Sequence, residues 1–344
     1  MIDSELKNIS NITSKKFFFI VFVIVFAFFL LGLFFYFFLE DTLDCGDGTH
    51  SGECSVNKPY YCSNGKLISH SSLCGCSDDL LPEREICMSS YYDNEVKIRL
   101  NYTVNGKDDY IDFLMFKDLV DCFADLPRSI EHDSGVYPDR IDFKMKFINN
   151  SIQREALVPL VVAIQNKAKS KEEQARIAIS LVQNLEYSGL ANIGFGFNNI
   201  QDIKYPYELL YAGEGICSET SDLLSFLLKE LGYGTVIFYY SYENHEAVGI
   251  KCPAEYSLRD SGYCYVETTR PAIISDSYIG EVGGVQLKTI PEILFISSGI
   301  SLDDKMYEYN DAKEFVKLKT ENMVFFRKLR FNKLKSKYGL LERM

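Results

Sequence analysis

The sequence predicts an α+β protein in which helices pack on an antiparallel sheet. A transmembrane helix, a small disulfide-rich module and a β-rich module come before this core. Three observations predict this organisation: an uncharged apolar run over 17–39, a cluster of cysteines in 40–92, and helical periodicity after residue 150 that gives way to β-branched and aromatic runs. A chain of 344 residues has room for one large core and smaller modules.

The composition limits the classes of function. With 47% hydrophobic and 24% charged residues, the chain is not typical of a disordered protein. Its formal net charge of -12 excludes a typical nucleic-acid binder, because such proteins neutralise phosphates with Lys and Arg. The basic groups concentrate in the tail 313–344, which leaves an acidic body.

The apolar run 17–39 carries no charge and exceeds the ~20 residues that a spanning helix needs. It is also longer than the apolar part of a signal peptide, and no small-residue cleavage site follows it. Lys15 and Lys16 precede it, whereas Glu40 and Asp41 follow. The positive-inside rule therefore predicts a single-pass cell-membrane protein with 1–16 in the cytoplasm and the body outside.

Segment 40–92 contains six cysteines amid Gly, Ser and Asp. Such density in an exported segment is typical of a disulfide framework, and six cysteines allow fifteen pairings. A zinc site is the alternative, but the segment lacks the C-x-x-C spacing, so we expect no metal.

Segment 93–150 is predicted to be β-rich. Alternating apolar residues over 96–104 and 111–115 flank Asn105-Gly106, which indicates a hairpin. A helical stretch around Leu119 follows, and alternation over 141–147 predicts another strand.

Segment 151–312 is predicted to be the catalytic domain. It opens with two helices, the second of which begins at a capping box of Ser170 and Glu173. Cys217 precedes a leucine-rich helical run that ends at Gly232. A cysteine at a helix N-terminus is favoured as a thiolate by the helix dipole.

Two further residues complete a candidate triad. His245 opens one predicted strand, and Glu267 lies in the next, Tyr263–Thr268. A thiolate, an imidazole and an orienting carboxylate are the parts that nucleophilic catalysis requires. Cys252 and Cys264 lie at the facing ends of these strands, so we expect them to form a disulfide.

The motifs G-E-G-I-C-S-E, N-H-E-A-V-G-I and Y-V-E-T-T resemble the transglutaminase-like superfamily, which has a papain-like fold. The resemblance covers 151–296 and extends to membrane-anchored archaeal members with a Cys-rich leader. It implies Cys217 as nucleophile, His245 as general base and acid, and Glu267 as the group that orients His245. The chain departs from the family where Glu replaces the commoner Asp and where no aromatic residue follows His245.

The family's oxyanion donor lies upstream of the cysteine, which implies Tyr187, with Tyr205 and Tyr207 as alternatives. His132 is the runner-up to His245 among the four histidines. Cys122 is the one cysteine to which neither a predicted disulfide nor a catalytic role is assigned. We expect it to be either buried or paired with another chain.

These features predict an extracytoplasmic cysteine hydrolase that acts on amide or isopeptide bonds of a peptide or protein substrate, without a cofactor. Hydrolysis is expected rather than cross-linking, because the chain lacks the Trp residues that wall the amine site of cross-linking members. One alternative is a non-catalytic cell-envelope binding or assembly protein on the same fold. Another is that the disulfide-rich module docks on a glycan or a partner.

The basic tail 313–344 has an interfacial pattern, since Phe325, Phe326 and Leu329 neighbour one another among Arg and Lys. The alternative is an ordinary solvated terminal helix. The sequence does not predict the oligomeric state.

Overall fold

The computed structural model describes residues 21–32, 44–77, 80–132, 135–188, 203–275, 281–282, 285–320 and 325–340. The fold is mixed α/β, with 42% helix and 24% strand in small sheets. Among the described residues, the largest sheet has four strands.

The predicted membrane span is wrong. The structure describes helix α1 over 21–32, while 17–20 and 33–39 lie outside the described residues. Within the described ranges, no helix has the length and apolarity to cross a bilayer. This finding overturns the predicted fold class, which included a transmembrane helix. It also overturns the predicted single-pass localisation in the cell membrane. The segment 1–16, predicted to be cytoplasmic, lies outside the described residues.

The disulfide-rich module consists of two small hairpins that pack on the core. Leu67 lies in one cluster with Val158 and Val162, and Asn166 pairs with both backbone groups of Leu67 at 2.9 Å. Its cysteines form disulfides, which overturns the zinc alternative. The disulfides are Cys45–Cys62, Cys54–Cys74 and Cys76–Cys87. The elements are β1 (Tyr60–Ser63), β2 (Lys66–Ser69), α2 (Ser71–Cys74), β3 (Leu81–Glu83) and β4 (Ile86–Met88).

The predicted hairpin is present as β5 (Glu95–Val104) and β6 (Lys107–Phe116). Asn105 and Gly106 form its two-residue turn. Both have positive φ, as a type I′ hairpin turn requires. Helix α3 (Lys117–Asp125) follows.

The strand predicted over 141–147 is wrong, because this segment is helix α4 (Arg140–Ile148). Asp139 and Asp142 form a capping box that starts the helix. The alternation that suggested a strand included Lys144 as an exposed position, yet Lys144 is only 7% exposed.

Four helices lead to the site: α5 (Ser151–Lys167), α6 (Lys171–Gln183), α7 (Pro206–Ala212) and α8 (Cys217–Glu230). One hydrophobic core joins them to segment 93–150, since Phe123 and Phe147 pack in the same cluster as Leu157, Leu223 and Val248. Two short strands, β7 (Glu186–Tyr187) and β8 (Glu214–Gly215), pair in parallel next to the start of α8.

The four-stranded antiparallel sheet has the order β11-β10-β9-β14, and α8 packs on β9 and β10. Two 3₁₀ turns, Ala254–Tyr256 and Leu258–Asp260, lie between β10 and β11. The strands are β9 (Thr235–Tyr240), β10 (His245–Lys251), β11 (Tyr263–Val266), the separate pair β12 (Glu281–Val282) and β13 (Val285–Gln286), and β14 (Glu292–Ser297).

Two helices follow, α9 (Tyr307–Thr320) and α10 (Phe325–Lys337), and α9 runs across the predicted boundary at residue 312. They pack against Ala272 and Ile273 through Phe315 and Leu334. The side chains proposed as interfacial are exposed, with Phe325 at 68%, Phe326 at 79% and Leu329 at 52%.

Candidate active site

Cys217 is the first residue of α8, and its neighbours fix it there. The Glu219 carboxylate accepts the N–H of Ile216 at 3.0 Å and that of Lys204 at 2.8 Å, which caps the helix. At Gly215, a Cβ would lie 2.3 Å from Leu209 Cδ1 and 2.7 Å from Glu219 Oε2, so a larger residue would force these two side chains to shift. The sulfur thus lies where the first N–H groups of a helix favour negative charge.

His245 and Glu267 contact each other as predicted. His245 Nε2 lies 3.1 Å from Glu267 Oε2, and each residue is 1% exposed. The register pairs Val248 with Val266, which brings the two strands alongside each other. Strand β11 ends at Val266, so Glu267 lies just after the strand rather than within it.

Glu267 is surrounded by donors that the sequence analysis missed. It accepts hydrogen bonds from the Tyr265 hydroxyl at 2.7 Å, the Thr269 hydroxyl at 2.7 Å, and the N–H groups of Thr268 and Thr269 at 3.0 and 3.1 Å. Burial acts to raise the pKa of Glu267, but the His245 charge and these bonds outweigh it and lower the pKa to about 2. The motif Y-V-E-T-T contained this signal, because both missed side chains lie within two residues of Glu267.

The surroundings of His245 favour its protonated form. Burial acts to lower its pKa, but the Glu267 charge and the Cys217 thiol outweigh it and raise the pKa to about 10. A carboxylate only accepts, so Nε2 carries a proton toward Glu267. Among the described residues, the buried Nδ1 has no nitrogen or oxygen partner, which leaves it to interact with the Cys217 thiol.

Further contacts tie the three elements together. The Thr220 hydroxyl on α8 lies 2.9 Å from that of Thr268, next to Glu267. Gln183 Nε2 on α6 donates to the Glu267 carbonyl at 2.8 Å. The predicted disulfide Cys252–Cys264 is confirmed and links the end of β10 to β11.

Of the three tyrosines considered for the oxyanion, Tyr187 is the one beside the nucleophile. It pairs with Gly215 across β7 and β8, and burial followed by the charges of Cys217 and Glu267 raises its pKa to about 12. Tyr205 packs beneath Arg128, and Tyr207 accepts the Phe116 N–H at 2.9 Å.

The remaining candidates lie elsewhere. His132 is exposed, and its ring lies 5.2 Å from that of Tyr137. Cys122 is half-buried and forms no disulfide within the chain. No group of three or more His, Cys, Asp or Glu among the described residues could hold a metal ion.

Comparison with known proteins found no family model and no curated protein that matches this sequence. The resemblance to the transglutaminase-like superfamily therefore stays a prediction.

Proposed function

We propose that this protein is a transglutaminase-like cysteine hydrolase that cleaves amide or isopeptide bonds of peptide or protein substrates. The observation that carries the proposal is the buried 3.1 Å bond between His245 and Glu267 beside a free cysteine at the start of a helix. The four disulfides support an oxidising compartment as the place of action.

In the first half-reaction, the Cys217 thiolate attacks the carbonyl carbon of the substrate. A C–S bond forms, the C–N bond breaks, and the His245 imidazolium gives its proton to the departing amine. Glu267 keeps the imidazole oriented and stabilises its cationic form.

In the second half-reaction, water attacks the thioester while neutral His245 accepts a proton. The C–O bond of the acid forms, the C–S bond breaks, and the thiolate and imidazolium are restored. The N–H groups of the first turn of α8, with Tyr187 as side-chain donor, are proposed to bind the oxyanion.

Hydrolysis is proposed as the main outcome because water is the default acceptor where no site holds an amine. The absence of Trp from the chain supports this choice. An acyl-donor peptide with excess primary amine tests it: free acid as the main product supports hydrolysis, and amide as the main product contradicts it.

The mechanism is tested with a panel of peptide aminomethylcoumarin amides and labelled casein. Cys217→Ala is expected to reduce turnover at least about 10⁴-fold, because it removes the nucleophile. The matched control, Cys122→Ala, is expected to keep full turnover. Undiminished turnover in Cys217→Ala would contradict the mechanism.

A further inference from the structure

A buried lysine outside the proposed triad contacts the elements that carry two of its members. Lys144 Nζ on α4 lies 2.6 Å from Glu246 Oε2 and 3.0 Å from Asp222 Oδ1. Asp222 lies on α8, in the second turn after Cys217, and Glu246 directly follows His245 on β10. One ammonium group therefore bridges the helix of the nucleophile and the strand of the histidine.

This cluster is buried on every side. Lys144 is 7% exposed, Glu246 5% and Asp222 0%. Burial acts to lower the pKa of Lys144, but the two carboxylates outweigh it and raise the pKa above its ordinary value. Buried ion pairs add little to stability over apolar residues of similar volume, so a gain in stability does not account for this cluster.

Helix α4 is held at this end of the sheet by a second contact. The Arg140 guanidinium lies 3.5 Å from the centre of the Tyr239 ring, and Tyr239 pairs with Glu246 across β9 and β10. Arg140 and Lys144 are one turn apart on α4, so the same helix face meets the sheet twice.

We propose that Lys144 is a positioning residue that sets the separation of Cys217 and His245 by tying α8 and β10 to one buried charge. The inference rests on the proposed function. It also makes segment 93–150 part of the site's support rather than an accessory module. Misplacement by about 1 Å costs a catalytic pair roughly 10²-fold in rate, so the tie has a measurable consequence.

The test measures iodoacetamide alkylation of Cys217 from pH 5 to 9 in the full chain, with thermal unfolding recorded for each variant. Lys144→Met removes the tie. Glu246→Gln and Asp222→Asn each remove one carboxylate and leave one Lys–carboxylate pair, so neither variant leaves a buried charge without an opposite partner. Lys146→Met is the matched control, because Lys146 lies on the same helix and, among the described residues, donates to the Ser129 carbonyl rather than to a carboxylate.

We expect Lys144→Met and Glu246→Gln to slow alkylation at pH 6 about tenfold or more and to move the profile toward that of an ordinary thiol. Lys146→Met should keep the wild-type profile. If Lys144→Met does not fold, the alkylation profile of Glu246→Gln tests the positioning role. A folded Glu246→Gln protein with the wild-type profile would overturn the positioning role and leave the proposed function intact. A wild-type Cys217 that reacts like Cys122 would overturn both.

Discussion

Cys122 and Cys217 are both free and half-buried, yet their surroundings are opposite. Cys122 lies inside α3, in a shallow pocket lined by Asp118, Asp121 and Asp125. Cys217 lies at the first residue of α8, next to a histidine that Glu267 keeps cationic. Negative neighbours oppose a thiolate, whereas a helix N-terminus and an imidazolium favour one.

The difference shows that the order of residues alone does not make a reactive cysteine. We expect the N-terminal capping by Glu219, the buried His245 and the donors around Glu267 each to be needed for Cys217 to act as the proposed nucleophile. Variants that change one of these features should lower the thiol reactivity of Cys217 toward that of Cys122.

The largest change is expected from Glu267→Gln. It keeps the shape of the side chain but removes the charge that orients His245 and stabilises its protonated form. We expect kcat/KM to fall about 10³–10⁴-fold, as with a corresponding change in a Ser-His-Asp triad. Asp118→Asn, which changes a carboxylate near Cys122 instead, is the matched control and should leave kcat/KM unchanged. A fall in kcat/KM of less than tenfold in Glu267→Gln would mean that the carboxylate does not take part in catalysis.

The same variant should alter stability in a pH-dependent way. The pKa of His245 is raised from 6.5 to about 10, so its contribution is complete below pH 6.5 and is lost as pH rises through 10. The pKa of Glu267 is lowered from 4.5 to about 2, so its contribution is complete above pH 4.5 and is lost as pH falls through 2. The free energy of unfolding of wild type should exceed that of Glu267→Gln most between pH 4.5 and 6.5, by about 3–5 kcal/mol.

Denaturant titrations from pH 3 to 10 measure this difference. Glu85→Gln is the matched control, because Glu85 pairs with His70 at 2.8 Å in an exposed position. Solvent screens that pair, so no comparable maximum is expected there. A difference that stays constant from pH 5 to 10 would contradict the ionic pairing of His245.

Two disulfides that close loops of similar length allow an effect on stability to be distinguished from an effect on activity. Cys252–Cys264 spans 12 residues between the strands of the site, and Cys76–Cys87 spans 11 residues in the disulfide-rich module. Replacing either pair by serine should lower the free energy of unfolding by about 3 kcal/mol, because the loops are alike.

Only loss of Cys252–Cys264 should also lower kcat/KM, since it links the strand that begins at His245 to the strand before Glu267. Thermal unfolding and turnover measured on both double variants test this. Equal activity loss in the two would contradict a link between that disulfide and the site.

The sequence predicted the parts of the fold that local signals control. Asn105-Gly106 predicted the β5–β6 turn, Ser170 predicted the start of α6, and Cys217 predicted the start of α8. The pairing of Cys252 with Cys264 followed from two short strands with a loop between them. The contact of His245 with Glu267 followed from the same adjacency.

The predictions failed or stayed open mainly where long-range contacts determine the local structure. The alternation over 141–147 resembled a strand, but the segment is a helix whose Lys144 is buried against the distant Asp222. The capping box of Asp139 and Asp142 was a local signal for this helix that the alternation obscured. Periodicity counts lysine as a surface residue and therefore cannot anticipate a buried ion cluster.

The disulfide pairing in 40–92 likewise depends on loop paths that local pattern does not encode. The hydroxyl donors to Glu267 are different, because Tyr265 and Thr269 lie within two residues of it and were a local signal that the sequence analysis missed.

Alkylation of the two free cysteines in the same wild-type chain tests the central claim most directly. Limiting iodoacetamide at pH 6, followed by peptide mapping, gives both rates in one sample. We expect Cys217 to react at least about tenfold faster than Cys122, because an ordinary thiol is largely protonated about two units below its pKa of roughly 8.5. Equal rates at pH 6 would contradict an activated Cys217 and would favour a non-catalytic binding or assembly protein.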